Sequence, residues 1–281
     1  MEEENPWKLG GSDFFMQKKE EYMRRALELA RKGEGHTSPN PMVGCVVVKD
    51  GRIISEGYHE KYGEFHAERN ALTRCTEDTA GADLYVTLEP CCHSGKQPPC
   101  VKAILQAEIS RVVVGSADPN PLVGGKGIRI LREHGVSVTE DILREECAKL
   151  NEVFFHYIRT EHPFVVMKYA MTMDGKIAAV TGESKWITGE AARHHVQKLR
   201  HRYTAIMAGV GTVISDDPLL TCRIPGGRDP VRIICDTSLR TPLDSRIVRT
   251  ADKAETILAT CVSDPGRTAP YTDAGCRVWT L

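Results

Sequence analysis

Apolar positions recur along the chain with two periods, and each period predicts an element. Over residues 14–32, Phe15, Met23, Ala26 and Ala30 fall on one face at helical spacing, and Gly33 and Gly35 supply the stop. The stretch VGCVVVKDGRIISEGYH, residues 43–59, reads as a hairpin: an apolar strand, an Asp50-Gly51 turn and a second strand. A short helix is expected from about His66, carrying Ala67, Asn70, Ala71 and Leu72. LYVTL (84–88) and RVVVG (111–115) are buried-type strands, separated by PPCVKAILQAE, a helix started by proline. A further helix, strand and helix carry the chain to about Leu150. Strands alternating with helices predict a three-layer α/β/α domain.

A second unit is expected after HYIRTEHPF. FVVMKYAMT (164–172) reads as a strand, MDGKIA as a turn and GEAARHHVQKLRHR (189–202) as a helix. TAIMAGVGTV reads as a strand running into a glycine loop, and VRIICD, TILAT and RVWTL are strand candidates. No internal repeat or low-complexity segment interrupts the pattern. The expected organisation is a disordered leader over 1–13, a first domain over 14–160 and a second α/β domain over 161–281.

Composition narrows the function classes. Lys and Arg total 37 against 38 Asp and Glu, a net charge of −1, so neither nucleic acid nor a membrane surface is an expected partner. No run of eighteen apolar residues is present, which excludes a hydrophobic membrane-spanning helix. The start, MEEENPWKLGGSDFF, lacks the apolar core of an export signal. Ten cysteines are too sparse for a disulfide scaffold, so reduced thiols in a cytoplasmic protein are expected.

The densest chemistry lies in EPCCHSGKQPPC, residues 89–100, with His66-Ala67-Glu68 upstream. Zinc deaminases hold the ion on one His and two Cys, leaving a fourth position for water, and use a Glu that is not a ligand to carry protons. His66 and Glu68 fill the first half of that pattern and Pro90-Cys91 begins the second. The usual spacing would put the other thiolate at position 94, which is Ser; Cys100, at the start of a helix, is a chemically sensible third ligand. A structural zinc knuckle is the alternative and would need a fourth protein ligand such as Cys92 or His93. The combined triplet, strand, E-P-C turn and P-P-C helix start favours a catalytic zinc.

This combination resembles the bifunctional riboflavin-biosynthesis deaminase–reductases, which join a cytidine-deaminase-like domain to a dihydrofolate-reductase-like domain. Pro39-Asn40-Pro41-Met42-Val43-Gly44, His66-Ala67-Glu68 and the whole of EPCCHSGKQPPC are similar to that family's deaminase motifs, including the long gap between the cysteines. The resemblance implies one zinc on His66, Cys91 and Cys100, proton transfer by Glu68, and Cys92 as a bystander. It implies a phosphorylated diaminopyrimidinone substrate, met by Asn40, His59, His93, Lys96, Asp118 and Asn120. Asn40 can donate and accept at a heterocycle edge, and His59, His93 and Lys96 are expected as cationic donors to the sugar phosphate.

The second half is similar to the family's reductase. Lys168 to Lys176, Gly182-Glu-Ser184-Lys-Trp186-Ile-Thr188, and Gly209-Val-Gly211-Thr212 with Asp216-Asp217-Pro218 match its motifs. The resemblance implies NADPH at Ala170, Trp186, Thr212, Asp216 and Thr237, and substrate at Lys168, Ser184, Arg200, Leu220 and Arg223. Family reductase domains continue beyond the position of Leu281 into an E-G-G segment. The expectation is therefore a second domain lacking its C-terminal part, with doubtful reduction and an unpaired edge strand that seeks a partner, as in a homo-oligomer.

Overall fold

The computed structural model describes residues 11–281, with side chains from residue 16 onward. The expected leader falls outside the described residues over 1–10, and so does the side chain of Phe15. The chain divides into two compact units, Met1–Val166 and Met167–Leu281.

In the first unit, helix α1 (Gly11–Arg31) precedes the hairpin β1 (Gly44–Lys49) and β2 (Arg52–Tyr58). Helix α2 (Ala67–Arg74), β3 (Asp83–Leu88), α3 (Cys100–Gln106), β4 (Arg111–Ser116), α4 (Lys126–Glu133), β5 (Ser137–Thr139), α5 (Arg144–Leu150) and α6 (Glu152–Thr160) follow. The five strands form one sheet in the order β2-β1-β3-β4-β5, with β3, β4 and β5 parallel and β1 antiparallel to both of its neighbours.

Period-2 alternation sends side chains to two separate cores. Cys45, Val47, Leu84, Val86, Val112 and Val114 pack under α2, α3 and α4. Val46, Val48, Tyr85 and Val113 pack against Met23, Ala26 and Leu27 of α1 and Cys147 of α5. The result is the expected three-layer α/β/α arrangement. Gly57 is required where β2 meets α2: a Cβ there would stand 2.3 Å from the Ala71 nitrogen. That close approach sets the height of α2, whose first turn carries Glu68.

The second unit contains α7 (Glu190–Arg202), β6 (Ala205–Gly209), α8 (Val210–Asp216), β7 (Val231–Cys235), α9 (Arg246–Arg249), β8 (Thr256–Thr260), α10 (Pro265–Asp273) and β9 (Arg277–Thr280). Its strands form a parallel sheet in chain order, β6-β7-β8-β9. Ile234 and Leu258 pack with Val210, Val213, Ile247, Val248 and Tyr271 into one core, whereas Met207 and Trp279 are exposed.

Two expectations differ from the structure. FVVMKYAMT is not a strand: residues 163–172 carry no regular structure, and Val165 and Met167 are 80% and 82% exposed. A strand exists only through ladder partners, and the described sheets give this segment none. GVGTV is not a loop, because Gly209 caps α8 and Gly211 lies inside it. HYIRT lies within the expected first domain as the end of α6, whose Phe155 is buried in the core beneath α2 to α4.

Candidate metal centre and substrate cavity

Three elements deliver the candidate ligands. His66 is the N-cap of α2, Cys91 follows the end of β3, and Cys100 opens α3. His66 Nδ1 lies 3.5 Å from Cys91 Sγ and 3.4 Å from Cys100 Sγ, and the three donor atoms fall within 4.8 Å of one another. Tetrahedral zinc with Zn–N of about 2.0–2.1 Å and Zn–S of about 2.3 Å separates its nitrogen and sulfur ligands by roughly 3.5 Å. The donor set therefore fits zinc in both chemistry and spacing.

Charge at the centre falls on one of the two sulfurs, because the hydrogen bond with Cys91 and burial push the Cys100 thiol up. The Cys91 thiol is pulled down to about 4, chiefly by its hydrogen bond with the Cys100 thiol and further by His66. The backbone N–H of Cys100 donates to Cys91 Sγ at 3.3 Å. Glu68 is 3% exposed and stands outside the donor cluster. Burial, helped by the nearby Cys91 charge, pushes its carboxyl up to about 7.

Asn40, His59, His66, Glu68, Cys91, His93, Lys96, Asp118 and Asn120 line one cavity of about 280 Å³. Cys100 lies behind it, 1% exposed. Nine residues singled out in the deaminase motifs thus converge on one space. Asp118 has its carboxyl raised to about 6, mainly by burial, although its Oδ1 accepts from the Asn120 N–H at 2.8 Å.

His59 departs from its expected cationic role. It is 2% exposed, and burial lowers its pKa, which holds the ring neutral. Its Nε2 lies 3.1 Å from Asn40 Nδ2 and its Nδ1 3.0 Å from the Phe65 carbonyl. An amide donor at Nε2 assigns the proton to Nδ1, so His59 fixes the direction of Asn40.

Sequence reasoning passed over Tyr62, Gln97, Phe154 and Asn151. Lys96 Nζ sits 4.1 Å from the Tyr62 ring centroid, and Gln97 Nε2 donates to the Gly63 carbonyl at 2.8 Å. Phe154, on the unexpected helix α6, forms part of the cavity wall. Asn151 holds the backbone of Met42. A polar residue between two helical stretches was the available signal for Asn151; the others carried none.

The reductase set is more dispersed. Ser184 and Trp186 line an open groove together with Thr172, Asp174 and Lys176, and the other eight residues are not among its lining. Arg200 Nη1 donates to the Thr221 carbonyl at 2.9 Å, between Leu220 and Arg223. Burial and the nearby Arg223 charge lower the Arg200 pKa. Thr212 and Asp216 lie on α8, Thr237 follows β7, and Lys168 and Ala170 lie in the irregular segment.

Comparison with known proteins places these features. The cytidine and deoxycytidylate deaminase zinc-binding region matches residues 16–116, and the RibD C-terminal domain matches residues 163–272. The riboflavin biosynthesis protein RibD of Actinobacillus pleuropneumoniae is 56% identical over 258 residues, covering 92% of this chain and 69% of that protein. Among solved structures, the diaminohydroxyphosphoribosylaminopyrimidine deaminase/5-amino-6-(5-phosphoribosylamino)uracil reductase of Thermotoga maritima is 42% identical with a TM-score of 0.84, covering 94% of this chain and 81% of that one. RibD of Acinetobacter baumannii is 40% identical with a TM-score of 0.85, covering 95% and 74%.

Proposed function

With the chain belonging to the RibD family of riboflavin-biosynthesis deaminase–reductases, we propose how its own residues divide that work. The first half hydrolytically deaminates the diaminohydroxyphosphoribosylaminopyrimidine, and the second reduces the ribosylamino product to a ribitylamino compound with NADPH. The fold is a cytidine-deaminase-like domain followed by a dihydrofolate-reductase-like domain.

His66, Cys91 and Cys100 would hold zinc, which when bound would lower the pKa of a water and so supply the nucleophile. Glu68 takes the proton from the water that attacks the ring carbon and returns it to the departing amine. A C–O bond forms, the C–N bond breaks and ammonia leaves. A carboxyl near neutrality suits a group that must both accept and give that proton. Asn40, aimed by His59, meets the heterocycle edge. Lys96 and His93 receive the 5′-phosphate, and Asp118 and Asn120 complete the cavity wall.

The observation that carries this reading is the zinc-spaced donor triad beside a buried carboxylate that is not a fourth donor. Glu68→Gln should keep one zinc per chain while ammonia release falls by roughly 10²–10⁴-fold. Undiminished turnover in that variant would overturn the assignment.

For the reductase we propose that Ala170, Trp186, Thr212, Asp216 and Thr237 face NADPH. Lys168, Ser184, Arg200, Leu220 and Arg223 face the substrate. Two neighbouring guanidinium groups, Arg200 and Arg223, suit an anionic sugar phosphate and support this reading. We further propose a cytoplasmic homo-oligomer. All ten cysteines are free, as in a reducing compartment, and β6 pairs with β7 alone, leaving its other edge open among the described residues.

A further inference from the structure

The residue before Pro90-Cys91 is a buried acid. Glu89 is 4% exposed, and among the described residues no Lys or Arg bonds to it. Its carboxylate is instead filled by backbone N–H groups from another part of the fold. Oε1 accepts from Gly127 at 3.0 Å and Ile128 at 3.3 Å, and Oε2 accepts from Gly125 at 2.9 Å and Asp118 at 3.4 Å. Three of these donors are the free N–H groups at the start of α4, where a carboxylate is favoured by both hydrogen bonding and the helix dipole. The fourth belongs to the loop that carries Asp118 and Asn120 into the substrate cavity.

The backbone on either side is pinned as well. The Glu89 N–H donates to the Ser116 carbonyl at 2.9 Å, which continues the β3–β4 pairing up to the metal loop. A Cβ at position 127 would stand 2.2 Å from the Pro90 carbonyl oxygen, so α4 docks directly on the peptide preceding Cys91. One carboxylate therefore stands between the segment that delivers a zinc ligand and the segment that delivers two substrate residues.

We propose that Glu89 is a positioning residue that locks the Cys91 loop and the Asp118–Asn120 loop into one register, so that metal and substrate meet at the correct offset. The proposal rests on the deaminase reading above. It goes beyond that reading in giving a named side chain control over both halves of the cavity. Two acceptor oxygens are essential to the role, because four N–H donors converge, two on each oxygen of the side chain. Glutamine has the same shape, but its NH₂ would face either the Gly125 and Asp118 donors or the Gly127 and Ile128 donors.

The test uses full-length Glu89→Gln, with Gly127→Ala as a second variant that disturbs the same docking from the α4 side. Metal analysis, thermal melting, zinc release to a chelator, alkylation of Cys91 in the zinc-free protein, and steady-state deamination are measured on each. For Glu89→Gln we expect one zinc per chain in the loaded protein and release to the chelator at least tenfold faster. We expect faster Cys91 alkylation, a kcat reduced about tenfold and a several-fold higher KM. Gly127→Ala should move the same readouts in the same directions. A lowered melting temperature with wild-type zinc release, alkylation, kcat and KM would overturn the proposal and leave Glu89 a purely structural cap. Glu68→Gln is run alongside: if it keeps full turnover, the deaminase reading fails whatever Glu89 does.

Discussion

The side chain of Asn151 takes up both backbone polar groups of Met42. Its Oδ1 accepts the Met42 N–H at 2.8 Å and its Nδ2 donates to the Met42 carbonyl at 2.8 Å, across 109 positions of sequence. The amide copies the pairing of a neighbouring strand at a place where the sheet provides none. It is 3% exposed, so its hydrogen bonds do not compete with water. The segment it grips is Asn40-Pro41-Met42, and Asn40 lines the proposed substrate cavity.

Asn151→Ala should therefore leave the two partly buried backbone groups of Met42 without their partner. Each such loss costs about 1–3 kcal/mol, and a destabilisation of about 2–4 kcal/mol is expected in denaturant unfolding of the first unit. The loop carrying Asn40 should also loosen, raising KM several-fold while zinc content stays at one per chain. A wild-type KM would show that Asn40 is held by His59 alone.

The Lys96–Tyr62 pair makes a second prediction. A carboxylate partner would neutralise Lys96, whereas an aromatic face orients the ammonium and leaves its charge available to a phosphate. An exposed cation–π contact is worth about 0.5–1 kcal/mol, so Tyr62→Leu should raise KM for the phosphorylated substrate by roughly two- to fivefold. Tyr62→Phe should retain the wild-type value, and neither change should affect a dephosphorylated substrate. Equal shifts on both substrates would remove Tyr62 from phosphate recognition.

The proposed zinc ligands are legible in the sequence because metal chemistry restricts residue type. Only Cys, His and acids qualify, and His66, Cys91 and Cys100 sit at ends of strongly patterned elements. The apolar runs 84–88 and 111–115 are equally legible, since a central strand must be hydrophobic on both faces. Glu89 and Asn151 are not, because their meaning lies in backbone groups 29 to 109 residues away. No local pattern records such a partner. FVVMKYAMT fails for a related reason: strand propensity describes a segment that would fit a sheet, but ladder partners decide whether it joins one. His59 has the right residue type for a phosphate donor, and only its burial reveals a neutral orienting role.

Arg232 in β7 is another residue whose role only the fold reveals. Its side chain is fully buried and donates to the carbonyls of Leu219, Ile247, Thr250 and Ala254 and to the hydroxyls of Thr250 and Thr256. No carboxylate is among these partners. Arg232→Met removes the donor and leaves the acceptors buried, at an expected cost of about 3–5 kcal/mol to the second unit. Trp186 and Trp279 both lie in that unit, so urea unfolding followed by tryptophan fluorescence should show the midpoint shift directly.

Asp118 sets the expected pH dependence. Its carboxyl is raised from an ordinary value near 3.8 to about 6, chiefly because burial disfavours the charged form. A raised carboxyl binds its proton more tightly in the folded chain than in the unfolded one. Its contribution to stability is therefore complete below about pH 4 and is lost as pH rises through 6. Above that point the buried charge costs up to about 3 kcal/mol, since each pK unit corresponds to about 1.4 kcal/mol. Asp118→Asn preserves an oxygen for the Asn120 N–H and removes the charge. The variant should melt at a higher temperature than the wild type at pH 8 and at the same temperature at pH 4. Its deamination rate should fall at pH 8, where the carboxylate is present to meet substrate, because a site that tolerates a destabilising buried charge exchanges stability for binding. Melting curves from pH 4 to pH 8 give the decisive comparison: parallel profiles for the wild type and the Asp118→Asn variant would mean that the carboxyl titrates at its ordinary value.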